Sequence, residues 1–401
     1  MSPRVATFVV FAINGAMVGT WVAHIPWLQD HLGLSKATLG FCLLCMAAGA
    51  FVSMPLTGHV LDRVPSASVT RWAALVFCLM LPLPLFATSP YMLAALLFVF
   101  GASNGAMDVA MNAHGVGIQE RLGRPVMSSL HGGWSIGGFT AAGFVALAVT
   151  AGLDPRVESL IVGVSLLLLS LWITRRLGAS SAHSSEGHGL TLPTRPLILI
   201  GGLCFLVMLA EGAIGDWSGI YLRHNTGASP ATAALAFTAF SLGMAIARLA
   251  GDLVNERIGA SMLLRAGTAT VAIVLGGVLL IGHTIPAVVG FVLCGLGIAN
   301  AVPLLFSAAG RINPPGPSLA AAFTLGYTGF IVGPPIIGVL SDQAGLPQTL
   351  ALLVLALLTV TLLGGKALGR SDSSLAEIEA AAAVGIADRQ PPHPRGEVDH
   401  S

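Results

Sequence analysis

The chain has 401 residues, 55% of them hydrophobic and only 9% charged, with a net charge of +1 and a mean hydropathy of +0.84. A water-soluble domain carries about 25% charged residues, so a soluble globular protein is excluded. The balanced charge also lacks the basic footprint of a nucleic-acid binder.

In chain order, the sequence resolves into twelve apolar stretches separated by short polar turns. A bilayer core about 30 Å thick needs roughly 20 apolar residues of helix to cross it. The helix cores are expected at 5–25, 38–57, 72–88, 91–113, 127–150 and 157–174, then at 196–222, 231–250, 262–282, 286–309, 318–340 and 347–367. The first stretch lacks a cleavage site and is read as a retained helix rather than a signal peptide. The two sets are divided by a polar stretch, RRLGASSAHSSEGHGLTLPTR. The expected organisation is therefore an all-α integral membrane protein. Its N-terminal six-helix bundle covers 1–174, a cytoplasmic linker 175–195, a C-terminal six-helix bundle 196–368 and a disordered cytoplasmic tail 369–401. Within the tail, Leu375 to Ala387 is Ala-rich enough for a surface helix.

Orientation follows from the cationic loops. With the N-terminus inside, the inner segments hold Arg4, Arg63, Arg71, Arg121, Arg124, Arg175, Arg176, Arg195, Arg257, Arg265, Arg311, Lys366 and Arg370. The outer ones hold Lys36, Arg156 and Arg223. The expectation is N-in, C-in, an even number of crossings, in a bacterial-type inner membrane. Cys42, Cys45, Cys78, Cys204 and Cys294 all fall in apolar spans and are read as packing residues. The Cys42-x-x-Cys45 spacing has no second pair or His beside it. No metal or cofactor is expected, because no cluster has ligand spacing.

Three acids fall inside the expected spans, where a charge costs roughly 2.5 to 3.5 kcal/mol at a helix centre. Asp108 sits between Asn104 and Asn112 at i, i+4 and i+8, which places all three on one helix face. Such a stripe suits a polar substrate, although membrane helices also use Asn simply to hydrogen-bond one another. Glu211 and Asp216 lie in the seventh helix. Glu211 is the deeper, a carboxylate withdrawn from water and so a candidate for proton exchange. Asp216 sits nearer the outer interface, within reach of headgroup water or Arg223, beside Trp217 and Tyr221. Those two read equally well as interfacial belt residues. His131 opens the fifth helix at a depth similar to Asp108, which makes an Asp108–His131 contact an expectation. Asn14, Asp108, Glu211 and Asn300 give helices one, four, seven and ten one interior polar group each, with Pro303 freeing backbone groups in the tenth. Trp21, Trp134, Trp217 and Tyr327 are candidate aromatic lining for a sugar-like ring.

Two turns recur in the halves. GHVLDR carries Gly58, Asp62 and Arg63. RLAGDLVNER carries Arg248, Gly251, Asp252, Glu256 and Arg257. Gly allows close helix approach, and the acid–Arg pairs are candidates for a cytoplasmic gate. As ordinary surface pairs they would contribute only ~0–1 kcal/mol.

The six-plus-six pattern and the Gly58-x-x-x-Asp62-Arg63 turn resemble the major facilitator superfamily. More narrowly the chain resembles its MosC/YbjJ-like, fucose-permease-related branch. The matching residues are Asp108, Met111, Asn112, Glu120, Arg121, Arg124, Pro125, Met127, His131, Gly132 and Ser135. They continue with Glu211, Gly212, Asp216, Trp217, Ser218, Tyr221 and Leu222. The resemblance covers residues 4–368. It departs in the second turn, which has one extra residue before Glu256. It departs also at His24, where related sequences often carry Arg, so that a titratable group replaces a permanent charge. The resemblance implies two bundles around a central cavity lined by helices one, four, seven and ten, with alternating access by rocking.

The expected function is secondary transport of a small polar organic solute by a monomer in the lipid bilayer, with protons as the coupling ion. Asp108 and Glu211 lead the candidates. Asn14, Asn104, Asn112, Asn300 and Tyr327 are expected as cavity hydrogen-bonders. The alternatives are proton-antiport efflux of drugs or metabolites and, more remotely, a membrane enzyme built on Asp108 and His131 with Ser128, Ser129 or Ser135 nearby. No G-x-x-x-x-G-K-[ST] motif for ATP is present.

Overall fold

The computed structural model describes residues 2–123, 126–178, 194–312 and 315–387. The described residues are helical and contain no strand. Twelve helices are long and apolar enough to cross a membrane.

The first half contributes α1 (Pro3–Leu32), α2 (Lys36–Leu61), α3 (Ser66–Met80), α4 (Pro90–Leu122), α5 (Met127–Thr150) and α6 (Pro155–Ile173). The second contributes α7 (Arg195–Asn225), α8 (Pro230–Ile258), α9 (Ala260–Ile281), the pair α10 (Thr284–Ile298) and α11 (Ala301–Ala309), α12 (Pro315–Ala344) and α13 (Leu346–Ala387). The pair α10–α11 is one span, broken at Ala299 and Asn300.

Helix starts are written locally. Ser2-Pro3, Ser89-Pro90, Asp154-Pro155 and Ser229-Pro230 each set a side-chain oxygen before a proline at the first helical position. The oxygen accepts an otherwise unpaired N–H, and proline there gives up only an N–H with no helical partner. Gly33 ends α1 at φ 61°, a conformation that favours glycine.

Several elements exceed their expected bounds. α1 continues through Pro26 to Leu32, and the Pro26 ring packs where a side chain at Gly219 of α7 would sit. α4 and α8 run on to Leu122 and Ile258, beyond the apolar cores that the sequence marks. α13 continues to Ala387, past residue 369 where the sequence suggests disorder, and its Ala-rich composition favours helix. Residues 179–193 of the linker and 388–401 of the tail lie outside the described residues.

Packing repeats between the halves. In the first bundle α1 meets α5 where Gly15 abuts the Trp134 backbone and Gly19 abuts Gly138. There α2 meets α4 where Gly49 abuts Phe98 and Gly101 abuts Met46. In the second, α7 meets α12 at Gly329 against Phe205, and α8 meets α10 at Gly243 against Val292 and Gly295 against Phe240. Lipid is as apolar as leucine, so helices associate through close backbone packing at small residues. The same solution at matching pairs makes two six-helix bundles of like construction.

The bundles meet through α2 with α12, α5 with α8, and α1 with α7 and α8. One end of this interface is closed by several ties. It carries Leu32, Lys36 and Asn225, and it is the end the arginine distribution assigns to the outside; it is called outer below. Gly40 abuts the Pro334 backbone, and Gly338 abuts Lys36. Asp30 pairs with Arg223 at 3.0 Å and with His224 at 3.3 Å.

Candidate central cavity

A cavity of about 370 Å³ lies between the bundles. Its polar wall is drawn from both. α1 supplies Asn14, α4 Asn104 and Asp108, and α5 His131 and Trp134. α7 supplies Glu211 and Asp216, α8 Ser241 and Arg248, and α12 Tyr327. Gly212 and Gly215 sit among the α7 acids, and a side chain at Gly212 would run into the Phe330 ring.

A chain of polar contacts crosses the cavity wall from one bundle to the other. The Asn14 amide Nδ2 donates to Asn104 Oδ1 at 3.0 Å, and the Trp134 indole N–H donates to Asn14 Oδ1 at 2.8 Å. Beside the same indole, the Arg248 guanidinium lies 5.9 Å from the ring centroid. Arg248 donates to Ser135 Oγ at 3.2 Å and to Glu211 Oε1 at 3.4 Å. One cation thus joins α5 of the first bundle to α7 of the second. The Arg248 and Glu211 side chains are 20% and 17% exposed, which leaves both reachable from the cavity.

Arg248 corrects an expectation. The sequence groups it with the cytoplasmic gate, whereas the structure puts it in the wall of the cavity, because α8 runs ten residues further to Ile258. Gly251, from the same turn, is a packing residue: a side chain there would strike Asn300. Of the other gate candidates, Gly58 faces open space and Glu256 and Arg257 are exposed. Asp62 caps the end of α2, followed by exposed Arg63. The side chain of Asp252 lies outside those described, as do Arg124 and Pro125.

The remaining candidates divide. Asp108 accepts from Asn112 Nδ2 at 3.1 Å, so Asn112 holds the carboxylate and is not itself in the wall. Asp108 and His131 both line the cavity without a hydrogen bond between them. The His131 ring instead meets Phe11 edge-on at 5.2 Å. Asp216 lines the cavity and has no protein partner among the described residues. Arg223, its expected partner, is taken by Asp30 and by the Ala228 carbonyl. Asn300 sits at the helix break and donates to the Ala247 carbonyl at 3.1 Å, tying the tenth span to α8 rather than lining the cavity. Trp21 and Trp217 are 1% and 0% exposed and belong to the core. Tyr221 is no belt residue either: it is 1% exposed, with its hydroxyl donating to the Val278 carbonyl at 2.9 Å. Of the aromatic candidates, Trp134 and Tyr327 reach the cavity.

His24 has a partner that the sequence did not reveal. Its Nε2 lies 2.9 Å from Glu158 Oε2, with both side chains 1% exposed, and its Nδ1 lies 2.7 Å from the Thr20 carbonyl. The carbonyl can only accept, so Nδ1 is the donor in that contact. The pair ties α1 to α6 within the first bundle, away from the cavity.

Among the described residues no group of three or more His, Cys, Asp or Glu side chains could hold a metal. Cys42 bonds through its thiol to the Pro90 carbonyl at 3.6 Å, as a packing cysteine does.

These features are those of a multi-pass membrane transporter, with two like bundles around a polar cavity. The chain belongs to the Major Facilitator Superfamily, whose family model matches residues 6–221 and again 200–391. It is 34% identical to an uncharacterized MFS-type transporter of Yersinia pestis, over 90% of this chain and 94% of that one. It is 32% identical to the membrane protein MosC of Rhizobium meliloti, over 86% of this chain and 85% of that one, in keeping with the MosC-like branch. Among solved structures it resembles a mutant form of the nucleoside transporter NupG. The TM-score is 0.73 at 12% identity, covering 90% of this chain and 98% of that one. It also resembles a bacterial homologue of the human lysosomal transporter Spinster, captured inward-facing and unoccupied. That TM-score is 0.69 at 14% identity, covering 92% of this chain and 97% of that one.

Proposed function

We propose that the chain is a secondary active transporter that carries a small polar organic solute across the inner membrane by alternating access, coupled to protons. The observation that supports this most is the polar network of the cavity: carboxylates from both bundles surround one solute-sized space, and a single Arg248 links Glu211 to the opposite bundle. Asn14 and Asn104 offer amide groups to hydroxyl-bearing solutes, and Trp134 and Tyr327 offer ring faces. Glu211 is the coupling site in this reading. As a carboxylate it holds Arg248; once protonated, it loses the charge that holds the guanidinium. Arg248 is then free to serve solute or to release Ser135, which ties proton uptake to the contact between bundles. Asp108, steadied by Asn112, and Asp216 complete the polar wall. The termini lie in the cytoplasm, and the transporter works as a monomer.

In proteoliposomes, an imposed pH gradient drives solute accumulation, and collapsing the gradient abolishes it. Accumulation that survives collapse overturns the coupling. Thermal-shift screening of sugars, polyols, amino acids and organic acids identifies the solute, since a ligand stabilises the folded state by mass action whichever way it is carried.

A second reading, proton-antiport efflux of drugs or metabolites, is favoured by one observation. The remaining wall is rich in Met46, Met54, Met244, Phe51, Phe237 and Phe240, adaptable apolar surface. The sign of solute-driven proton movement separates it from symport. Of the serines near Asp108 and His131, Ser129 donates to the Val126 carbonyl and Ser135 to the His131 carbonyl, and the side chain of Ser128 lies outside those described.

A further inference from the structure

We propose that Asp342 is a latch that biases the outer end of the two bundles shut by capping the first turn of α2 across the bundle interface. The inference rests on the alternating-access reading and adds the device that weights one of its states.

The N-terminus of a helix presents N–H groups without intrahelical acceptors, at the positive end of its dipole. At the start of α2, Ser35 is the local cap and accepts from the Thr38 N–H at 3.1 Å. The N–H groups of Lys36 and Ala37 are met from the other bundle. Asp342, near the end of α12, accepts from Lys36 through Oδ1 at 3.0 Å and from Ala37 through Oδ2 at 2.9 Å. Both carboxylate oxygens are thus committed to one helix end. One turn earlier in α12, Gly338 makes the approach: a side chain there would collide with the Lys36 carbonyl. Gly338 brings the backbones together and Asp342 caps.

The module Gly-x-x-x-Asp occurs twice on this helix pair. α2 and α12 run antiparallel, so each places its C-terminal end beside the other's N-terminal end. Gly338 and Asp342 occupy that position at the outer end, and Gly58 and Asp62 occupy the corresponding C-terminal end of α2. The outer cap needs α2 and α12 in contact. Opening the outer end separates the two helices and returns both N–H groups to water. Asp342 therefore stabilises one state and not the other, which is the requirement for shifting a population. Asp30 with Arg223 and His224 spans the same end through side chains alone.

The test uses the full-length protein with spin labels on introduced cysteines, with Cys45→Ala removing the one native thiol that is not buried. Labels at Tyr91 and Ile285, 89% and 78% exposed at the outer ends of α4 and α10, report the outer width. Labels at Trp72 and Met262 report the inner width. Asp342→Asn keeps the shape but loses the charge, and its amide N–H₂ opposes one of the two backbone donors. It is expected to raise the long-distance outer population about twofold to fivefold, with the inner pair shortening in step. An unchanged outer distribution overturns the latch, as does outer lengthening without inner shortening, which marks local fraying. Gly338→Val is a second disruption with the same expected sign; if it fails to fold, Asp342→Asn decides alone. Wild-type widths that vary reciprocally with pH but ignore Asp342 sink the latch and leave alternating access standing. Widths that never vary reciprocally, in any variant or at any pH, remove both.

Discussion

At the scale of single residues, the cavity turns on Arg248. Its guanidinium serves Glu211 and Ser135 at once, a fork that a lysine cannot reproduce. Arg248→Lys is expected to retain the charge beside Glu211 while losing the bridge to α5, lowering the transport rate about tenfold or more, a barrier change of ~1.4 kcal/mol; solute uptake into proteoliposomes measures it. Arg248→Ala removes the partner altogether and leaves Glu211 as an unpaired charge in the bundle. That lowers the melting temperature, and adding Glu211→Gln restores most of the loss, because an uncompensated buried charge costs more than an absent pair. A double variant no more stable than Arg248→Ala overturns that account. Trp134 has a quieter role: its indole N–H fixes the Asn14 amide, which in turn donates to Asn104. Trp134→Phe keeps a ring but loses the donor, and about twofold to tenfold weaker solute binding is expected from one hydrogen bond, read as a reduced ligand-induced thermal shift.

At the scale of elements, small residues decide which helices touch. Gly101 abuts the Met46 backbone, and Gly295 abuts Phe240 at the matching place in the second bundle. Gly101→Val and Gly295→Val are each expected to destabilise by about 1–3 kcal/mol or more, since a side chain there must push two backbones apart. Gly276 in α9 has nothing within 4 Å of where a side chain would begin. Gly276→Ala is therefore expected to be neutral or stabilising by up to ~1 kcal/mol, from helix propensity alone. Thermal unfolding in detergent separates the two classes; equal losses at both would refute the packing argument. Much of this scale is legible in the sequence, through apolar length and the Ser-Pro and Asp-Pro starts. Helix ends are less so. The sequence places Arg248 both inside an expected span and inside a turn motif, and the reach of α8 to Ile258 decides between them. The position within the apolar span was the truer signal. Asn300 was legible as polar and interior, but its direction was not: Gly251 leaves room for it on the side facing α8.

At the scale of the whole molecule, the outer end carries the cross-bundle ties of Asp30 with Arg223 and of Asp342 with the start of α2, and the cavity lies to their inner side, with Val22, Leu43 and Pro334 in its wall. The outer end is therefore expected to be the slower to admit a water-soluble thiol reagent. Cysteines placed at cavity positions such as Ser241 should react faster from the side of Trp72 than from the side of Tyr91. Sealed vesicles of known orientation measure this, and the same labelling at Tyr91 and Trp72 tests the N-in, C-in arrangement.

The sequence by itself determined the class of molecule: twelve apolar spans, their division into two sets, and a handful of charges inside them. These are local quantities, because the length of an apolar run and the presence of a charge within it are properties of neighbouring residues. Tertiary structure alone decided which of those charges meet. Glu211 and Arg248 are 37 residues apart in the chain, Asn14 and Trp134 are 120, and Lys36 and Asp342 are 306. No periodicity links such pairs. They are set by which glycines let which backbones approach, and that becomes visible only when the helices have packed.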